Sequence, residues 1–372
     1  MSEPNRFEDD IYSKPFSLKV WAGMLRFFKQ YKRPLLWLAI VMVFCAVFDV
    51  AIPLYQKYII DSFIVPRTTQ GLIPVIIIGL VFIGISGTVL TIIVTRIALY
   101  IEMSFARDIR KALFDHLQKL SISYYNTTPV GYMIARVMSD TNRIGELIAW
   151  GLLNIAWGAA YIIFAIISML MLDPRMGAIL VAMIPFMALV TMWFQSRILK
   201  YNRVVRRTNS RITGSFNEGI NGARTSKTLV IEDINSREFG NLAGEMYSSS
   251  VRAASLSAVF QPCIMMFGAI SVALILTFGG GYTLEGTMPL GTLSALISYA
   301  IGIFEPIRHV TRTFADIVAT QANIERVEGL LETEPMITDA PEVVKTYGDS
   351  FDPKPENWEP IHGNIRFDDV TF

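Results

Sequence analysis

The chain has 372 residues, 52% of them hydrophobic and 17% charged, and its 33 Lys and Arg against 32 Asp and Glu leave a formal net charge of +1. Mean hydropathy is +0.42. A soluble domain of this length carries more charge, and apolar residues gathered into long uncharged stretches mark an integral membrane protein.

The N-terminal segment, 1–33, is polar at first, with Glu3, Glu8, Asp9 and Asp10. No small-residue cleavage pattern follows the first apolar run, so that run is not a signal peptide, and the N-terminus is expected to stay on the side of synthesis. From Phe16 to Arg33, Trp21, Met24, Leu25 and Phe28 fall at i, i+3, i+4, i+7, and Lys19, Arg26, Lys29, Lys32 and Arg33 supply a basic side. That pattern predicts a helix lying in the membrane interface rather than one packed on protein.

Six apolar runs follow: Pro34 to Tyr55, Leu72 to Val94, Leu147 to Leu172, Met176 to Phe194, Ala253 to Phe278 and Met288 to Phe304. Each has about the 17–25 residues a helix needs to cross the hydrocarbon core. The only charge inside them is Asp49, and Pro53, Pro74, Pro185, Pro262 and Pro289 are kinks that a helix bundle tolerates. The connections alternate. Residues 56–71, 173–175 and 279–287 are short and poor in Lys and Arg, whereas 95–146 and 195–252 are long and basic. Basic loops belong in the cytoplasm, which puts both termini there.

Both long connections read as helix. Phe105, Ile109, Leu113, Leu117 and Leu120 hold helical spacing, and 202–221 has almost no breaker before Gly214. Helices two to five therefore extend beyond the lipid, by about 30 Å for about 20 residues. Each extension is interrupted once. At 121–131, Thr128 is expected to cap a new helix with Pro129 at its first position. The second break is placed near 218–222. Two helical hairpins result, each with a short tip.

Past the sixth run the character changes, and 314–331 reads as a polar helix with Ile317, Ile324, Val327 and Leu331 on one stripe. A linker with Pro341, Pro353, Pro355 and Pro360 follows, and 363–372 alternates like a strand broken at Asp368-Asp369. The domain boundaries are drawn at 1–33, 34–320, 321–362 and 363–372. Cys45 and Cys263 lie inside apolar runs and suit packing, while His116, His309 and His362 match no metal-ligand spacing. No metal site is expected.

Six spans with long extensions, followed by the G-x-I-x-F-x-x-V-x-F pattern, resemble the bacterial multidrug and lipid exporters of the ABC superfamily over nearly the whole chain. Leu120 to Tyr125 with Gly131, Arg136, Asp140 and Thr141 is similar to the family's first coupling-helix region. Glu218, Gly222, Lys227, Glu232 and Phe239 are similar to the second, and Ala322 to Leu331 to the helix leading into the nucleotide-binding domain. The resemblance implies an all-α polytopic membrane protein of six transmembrane helices with long cytoplasmic extensions, the transmembrane domain of an ABC exporter half-transporter in the bacterial cytoplasmic membrane. It also implies alternating access in a dimer with an identical or paralogous half, ATP-binding domains as partners, contact with membrane lipid, an amphipathic small-molecule substrate and no nucleic acid. ATP and Mg2+ would be held by a nucleotide-binding domain that is cut off here. This chain has no G-x-x-x-x-G-K-[ST] phosphate loop, and Gly279-Gly280-Gly281 reads as a flexible external hairpin. No ATPase activity is therefore expected of this chain, whereas the full-length protein is expected to be an ABC-type ATPase.

Coupling to the nucleotide-binding domain is assigned, by the same resemblance, to Ser123, Tyr124, Tyr125 and Asn126 at the first tip and to Asn221, Gly222, Ala223 and Arg224 at the second. Substrate-pathway candidates come from charges in or beside the spans. Asp49 lies about 22 Å into the first run by helix rise, towards the outer leaflet, and serves either substrate or a structural pair. Glu305 either meets substrate or pairs with Arg308 at i+3. Trp150, Trp157, Tyr161 and Trp193 either stack on flat ligands or anchor the bundle. Two other classes fit six spans. A secondary transporter or channel usually has short loops and helices interrupted at midplane. A membrane-anchored sensor or enzyme has no need of two paired hairpins.

Overall fold

The six apolar runs become the cores of six much longer helices. The computed structural model describes residues 18–336, 338–349, 351–360, 362–363 and 365–368. In chain order the main elements are α1 (Leu18–Phe28), α2 (Lys29–Ile64), α3 (Leu72–Leu117), a tip helix α4 (Ile122–Thr127), α5 (Val130–Leu172), α6 (Pro174–Asn221), a second tip helix α7 (Ala223–Leu229), α8 (Glu232–Leu284), α9 (Leu290–Leu331) and the short α10 (Pro341–Tyr347). Helices α2, α3, α5, α6, α8 and α9 are long and apolar enough to cross a membrane. The protein is an all-α, multi-pass membrane fold.

Where helices extend past their apolar stretch, burial replaces lipid as the reason for apolar residues. On α3, Ile101, Phe105, Ile109 and Leu113 are fully buried, the stripe expected from their spacing. They pack with Met24 of α1, Ile144 of α5 and Ile324 and Val327 of α9 into one core at the long-loop end. A second core at the short-loop end joins α2, α5, α6, α8 and α9 through Met169, Met187, Leu296 and Tyr299. The Tyr299 hydroxyl, buried with its ring, donates to the Val50 carbonyl at 2.6 Å and so ties α9 to α2.

Several expectations change here. Helix α1 lies on protein: Met24 is fully buried against α3 and α9, and Phe27, Phe28 and Tyr31 surround the Phe105 ring at centroid distances of 6.4, 5.3 and 6.0 Å. The aromatic stripe found a protein surface to cover it. The side chains of Lys19, Leu25 and Arg26, and all of residues 1–17, lie outside the described residues. The polar segment 314–331 is helical as expected, and it continues the sixth span, because Leu290–Gly302 and Phe304–Leu331 meet at Ile303 in one continuous path. Pro306 explains the joint. It has no N–H for the Gly302 carbonyl, yet it sits in the first turn after the joint, where proline fits.

The three-glycine run is helical, not a flexible hairpin. Helix α8 continues through Gly279 to Leu284, and the turn comes at 285–289. Gly279 packs closely: a Cβ there would lie 2.9 Å from the Met288 methyl and 3.0 Å from a Leu293 methyl, so these side chains would have to shift. The first short loop also shrinks, since α2 ends in a π-helical turn at Ile60–Ile64. At the first tip Thr128 and Pro129 are both extended and α5 starts at Val130, one residue later than expected. Pro129 is itself extended and takes the N-cap position, so Thr128 lies one residue outside the helix and its side chain caps nothing there.

Beyond α10, Asp349 accepts the backbone N–H groups of Phe351 and Asp352, and these bonds hold its carboxyl below the usual range. Of the predicted strand at 363–372, residues 364 and 369–372 lie outside the described residues, and the rest form no strand pairing among the described residues.

Candidate functional site

The structure brings all four substrate-pathway candidates into one cluster. Asp49 on α2 accepts a hydrogen bond from Trp157 Nε1 on α5 at 2.9 Å. Trp157 and Tyr161, at i and i+4, stack with centroids 5.7 Å apart. The edge of the Trp157 ring meets His309 of α9 at 6.1 Å, and His309 Nε2 lies 3.1 Å from Glu305 Oε1. Arg308 also donates to Glu305. The expected i, i+3 pair is therefore present, and it does not exclude a place in the cluster.

The depths agree. Asp49 is fifteen residues from Ile64, Trp157 fifteen from Leu172 and Glu305 fifteen from Leu290, the short-loop ends of their helices. At 1.5 Å per residue this is about 22 Å for each. Helix α2 runs on past the apolar run to Ile64, which leaves Asp49 near the middle of the helix.

Glycines let α5 and α9 pack closely at this level. A Cβ on Gly158 would stand 2.6 Å from Val310 and 3.2 Å from the Pro306 carbonyl, and one on Gly302 would stand 2.7 Å from the Tyr161 hydroxyl. Electrostatically the two acids differ. Glu305 has Arg308 and His309 beside it. Among the described residues no cation pairs with Asp49, whose one hydrogen-bond donor is an indole. Beside the cluster, a groove of about 610 Å³ between α8 and α9 is lined by Gln261, Met265, Gly268, Phe304, Glu305 and Arg308 among others. It is apolar along its body and charged at one end.

The other aromatic candidates part company. Trp150 donates to Glu102 of α3 at 2.9 Å, seven residues from Trp157 on the same helix, and belongs to the long-loop core. Trp193 is 52% exposed and packs edge-on against Phe194. His309 and Glu102 were not singled out in the sequence. The i, i+4 spacing of Glu305 and His309 was a signal available for the first, and nothing local marks the second.

At the first tip, Ser123, Tyr124, Tyr125 and Asn126 lie within α4. The two rings meet at right angles, 6.0 Å apart. Tyr124 is half-buried against the long-loop core, while Tyr125 is 40% exposed and its hydroxyl donates to the Leu117 carbonyl at 2.6 Å. Both tyrosines thus touch their own hairpin, and Tyr125 stays partly exposed.

The chain after α9 returns to this tip. His116 Nε2 is 2.9 Å from the Thr333 carbonyl, Ser123 donates to the Met336 sulfur at 3.0 Å, and Lys119 lies 5.2 Å over the Phe351 ring. Deeper, Asp140 is gripped by Arg136 at 2.8 Å and by both Nε and Nη2 of Arg326 at 3.0 and 2.8 Å. These bonds lock the foot of α5 to α9.

At the second tip, Asn221 ends α6, Gly222 makes the turn, and Ala223 and Arg224 open α7. The break expected near 218–222 falls at the end of that range, and a second one follows at Val230, with φ of 54°. Ile220, Leu229, Val230 and Ile234 are all exposed here. Among the described residues no group of three metal-ligating side chains converges.

Comparison with known proteins agrees with this architecture. The chain is 26% identical over 98% of its length to an uncharacterised ABC transporter ATP-binding protein of Bacillus subtilis, spanning 58% of that relative. It is 23% identical over 94% of its length to a putative multidrug export ATP-binding/permease protein of the same organism, spanning 59% of it. It is 24% identical over 92% of its length to an ATP-dependent lipid A-core flippase of Desulfotalea psychrophila, spanning 58% of that protein. Residues 35–307, which carry every span and both hairpins, match the family described as the ABC transporter transmembrane region, and the chain belongs to that family.

Proposed function

We propose that this chain is the substrate-translocating part of an ATP-driven exporter of amphipathic small molecules, working by alternating access in a dimer of halves in the bacterial cytoplasmic membrane, with both termini cytoplasmic. The observation that carries the reading is the cluster of Asp49, Trp157, Tyr161, His309 and Glu305 at one depth on α2, α5 and α9. A carboxylate at that depth is costly unless paired or wet, so such residues mark transport pathways. Stacked aromatic faces beside a carboxylate suit a flat ligand with a positive charge.

On this reading ATP and Mg2+ are bound by a nucleotide-binding domain and not by this chain. The glycines at 279–281 are helical, so they form no phosphate cradle. The two tips are the parts that a nucleotide-binding domain would hold: Tyr125 with Ile122 at the first, and Asn221 to Arg224 with the exposed Leu229 and Val230 at the second.

The test is ATP-dependent uptake of a fluorescent amphipathic cation into inside-out vesicles carrying the full-length protein. Asp49→Asn and Trp157→Phe are expected to lower uptake about tenfold, the loss of roughly 1.4 kcal/mol of binding, with expression unchanged. Uptake driven by a proton gradient without ATP would favour a secondary transporter. Unchanged uptake of several cations in both variants would leave the cluster structural.

A further inference from the structure

Charge on the second hairpin is sorted along its length. Beyond the apolar part of α6, Arg197, Lys200, Arg203, Arg206, Arg207 and Arg211 follow one another with no Asp or Glu before Glu218. The facing stretch of α8, 246–260, adds Arg252 and again no acid. Nearer the tip the signs mix: Glu218, Glu232, Asp233, Glu238 and Glu245 stand among Arg224, Lys227 and Arg237. Glu245 reaches Arg211 at 3.3 Å, and this pair marks the border.

The first hairpin is built differently. There Arg107 pairs with Asp108, Arg136 and Arg326 pair with Asp140, and Arg110 donates to Thr141 and Asn142. Among the described residues, no carboxylate forms an ion pair with Arg197, Lys200, Arg203 or Arg252, and all four are exposed. At 3.6 residues per turn, Lys200, Arg203, Arg207 and Arg211 form one stripe on α6, and the exposed Arg197 stands beside it, towards the buried Phe194 and Thr208.

Position fixes what the cations nearest the span meet first. The apolar part of α6 ends at Trp193-Phe194, and the exposed Trp193 ring carries the Arg197 guanidinium 5.6 Å from its centre. Tryptophan there is the usual anchor at the boundary between hydrocarbon and headgroups. Arg197, Lys200 and Arg203 follow Phe194 by three, six and nine residues, or about 5 to 14 Å along the helix. That range covers the headgroup layer and roughly one Debye length beyond it.

We infer that Arg197, Lys200 and Arg203, with Arg252 of α8, form a binding face for the phosphate headgroups of anionic phospholipids in the adjoining leaflet. Unpaired cations next to a span attract such lipids electrostatically, whereas cations matched with acids do not. The inference is independent of the substrate carried and of the tips. The bound headgroups would hold the root of the α6–α8 pair at a fixed depth.

The test uses full-length protein in nanodiscs of phosphatidylcholine and phosphatidylglycerol in equal amounts, one or the other brominated near the headgroup. Bromine quenches nearby tryptophan, and subtracting the signal of a Trp193→Phe variant isolates Trp193. Brominated phosphatidylglycerol is expected to quench Trp193 roughly twofold more than brominated phosphatidylcholine, and roughly 0.5 M salt should remove the difference. The Arg197→Gln/Lys200→Gln/Arg203→Gln variant should quench equally with both lipids. Swapping Arg and Lys at the same positions should keep the preference and shows that the fold tolerates changes there. Equal quenching in the wild type, or a preference that survives the glutamines, would overturn the inference. Competition by inorganic phosphate at constant ionic strength would also overturn it, by showing a site for soluble phosphate instead of lipid.

Discussion

Asp140 shows how a polar residue can be structural in a chain that is mostly apolar. Its side chain is 7% exposed, and Arg136 and Arg326, at 12% and 16%, supply three hydrogen bonds from two helices. The Arg136 guanidinium also lies 3.9 Å over the Tyr132 ring. Removing the acid leaves two arginines without their shared acceptor. Breaking a buried pair in this way costs about 3 to 5 kcal/mol, more than the pair itself contributes. Asp140→Ala is therefore expected to lower the unfolding midpoint in detergent sharply, and Asp140→Ala/Arg326→Met to recover part of the loss. An unchanged midpoint in the single variant would show that water already screens this site. Arg136 and Asp140 were visible in the sequence only as parts of a resembling motif. Their partner is 186 residues away from Asp140, and no local pattern announces a contact of that range. A comparably long separation hid His309 beside Trp157, whereas the Glu305–Arg308 pair was legible because helical spacing places i and i+3 together.

Among the elements, the tip helices are where burial stops and exposure begins. Helix α4 keeps Tyr124 on the core and presents Ile122, at 78% exposure, and Tyr125 at the end of the first hairpin. An exposed aliphatic and aromatic pair at the end of a long rigid arm is costly unless something covers it. An aromatic anchor commonly contributes about 2 kcal/mol or more to an interface. Tyr125→Ala in the full-length protein is expected to leave membrane insertion and ATP binding intact while transport and substrate-stimulated ATPase fall. Tyr125→Phe, which loses the bond to Leu117 and keeps the ring, separates anchoring from local support: it should retain most of the stimulation. Full stimulation in the alanine variant would remove this tip from the coupling path. The breaks themselves were read correctly to within a few residues. Their fine structure was not, because Pro129 fixes an extended step before α5 and Val230 takes a left-handed conformation that its residue type disfavours.

At the scale of the molecule, six helices of 36 to 53 residues share two cores rather than one. The short-loop core lies almost wholly within the apolar runs, and the long-loop core joins the ends of those runs, at Leu38, Met42 and Ile148, to the extensions beyond them. The two meet around Trp157, which packs against both. This arrangement makes the orientation testable. Single cysteines at 67 and 206, in a protein whose Cys45 and Cys263 are replaced, probe opposite ends. With an impermeant thiol reagent on intact cells, labelling is expected at 67 and not at 206, as the Lys and Arg asymmetry requires. The reverse result would invert the topology and with it the assignment of the tips.

The sequence by itself determined the class, the six spans, the two hairpins and their breaks. Those follow from hydrophobic run length and helical period, which are local properties of the chain. It also marked Asp49 as unusual, since a lone carboxylate in an apolar run needs no partner to be noticed. Only the tertiary structure decided what that carboxylate touches, which helices share its depth, and that α1 lies on protein. It likewise decided that Gly158 and Gly302 are places where a side chain would crowd the facing helix, α9 or α5. These depend on how the helices are rotated against one another. Rotation is set by the summed fit of side chains from distant parts of the chain, and no window of sequence contains that sum.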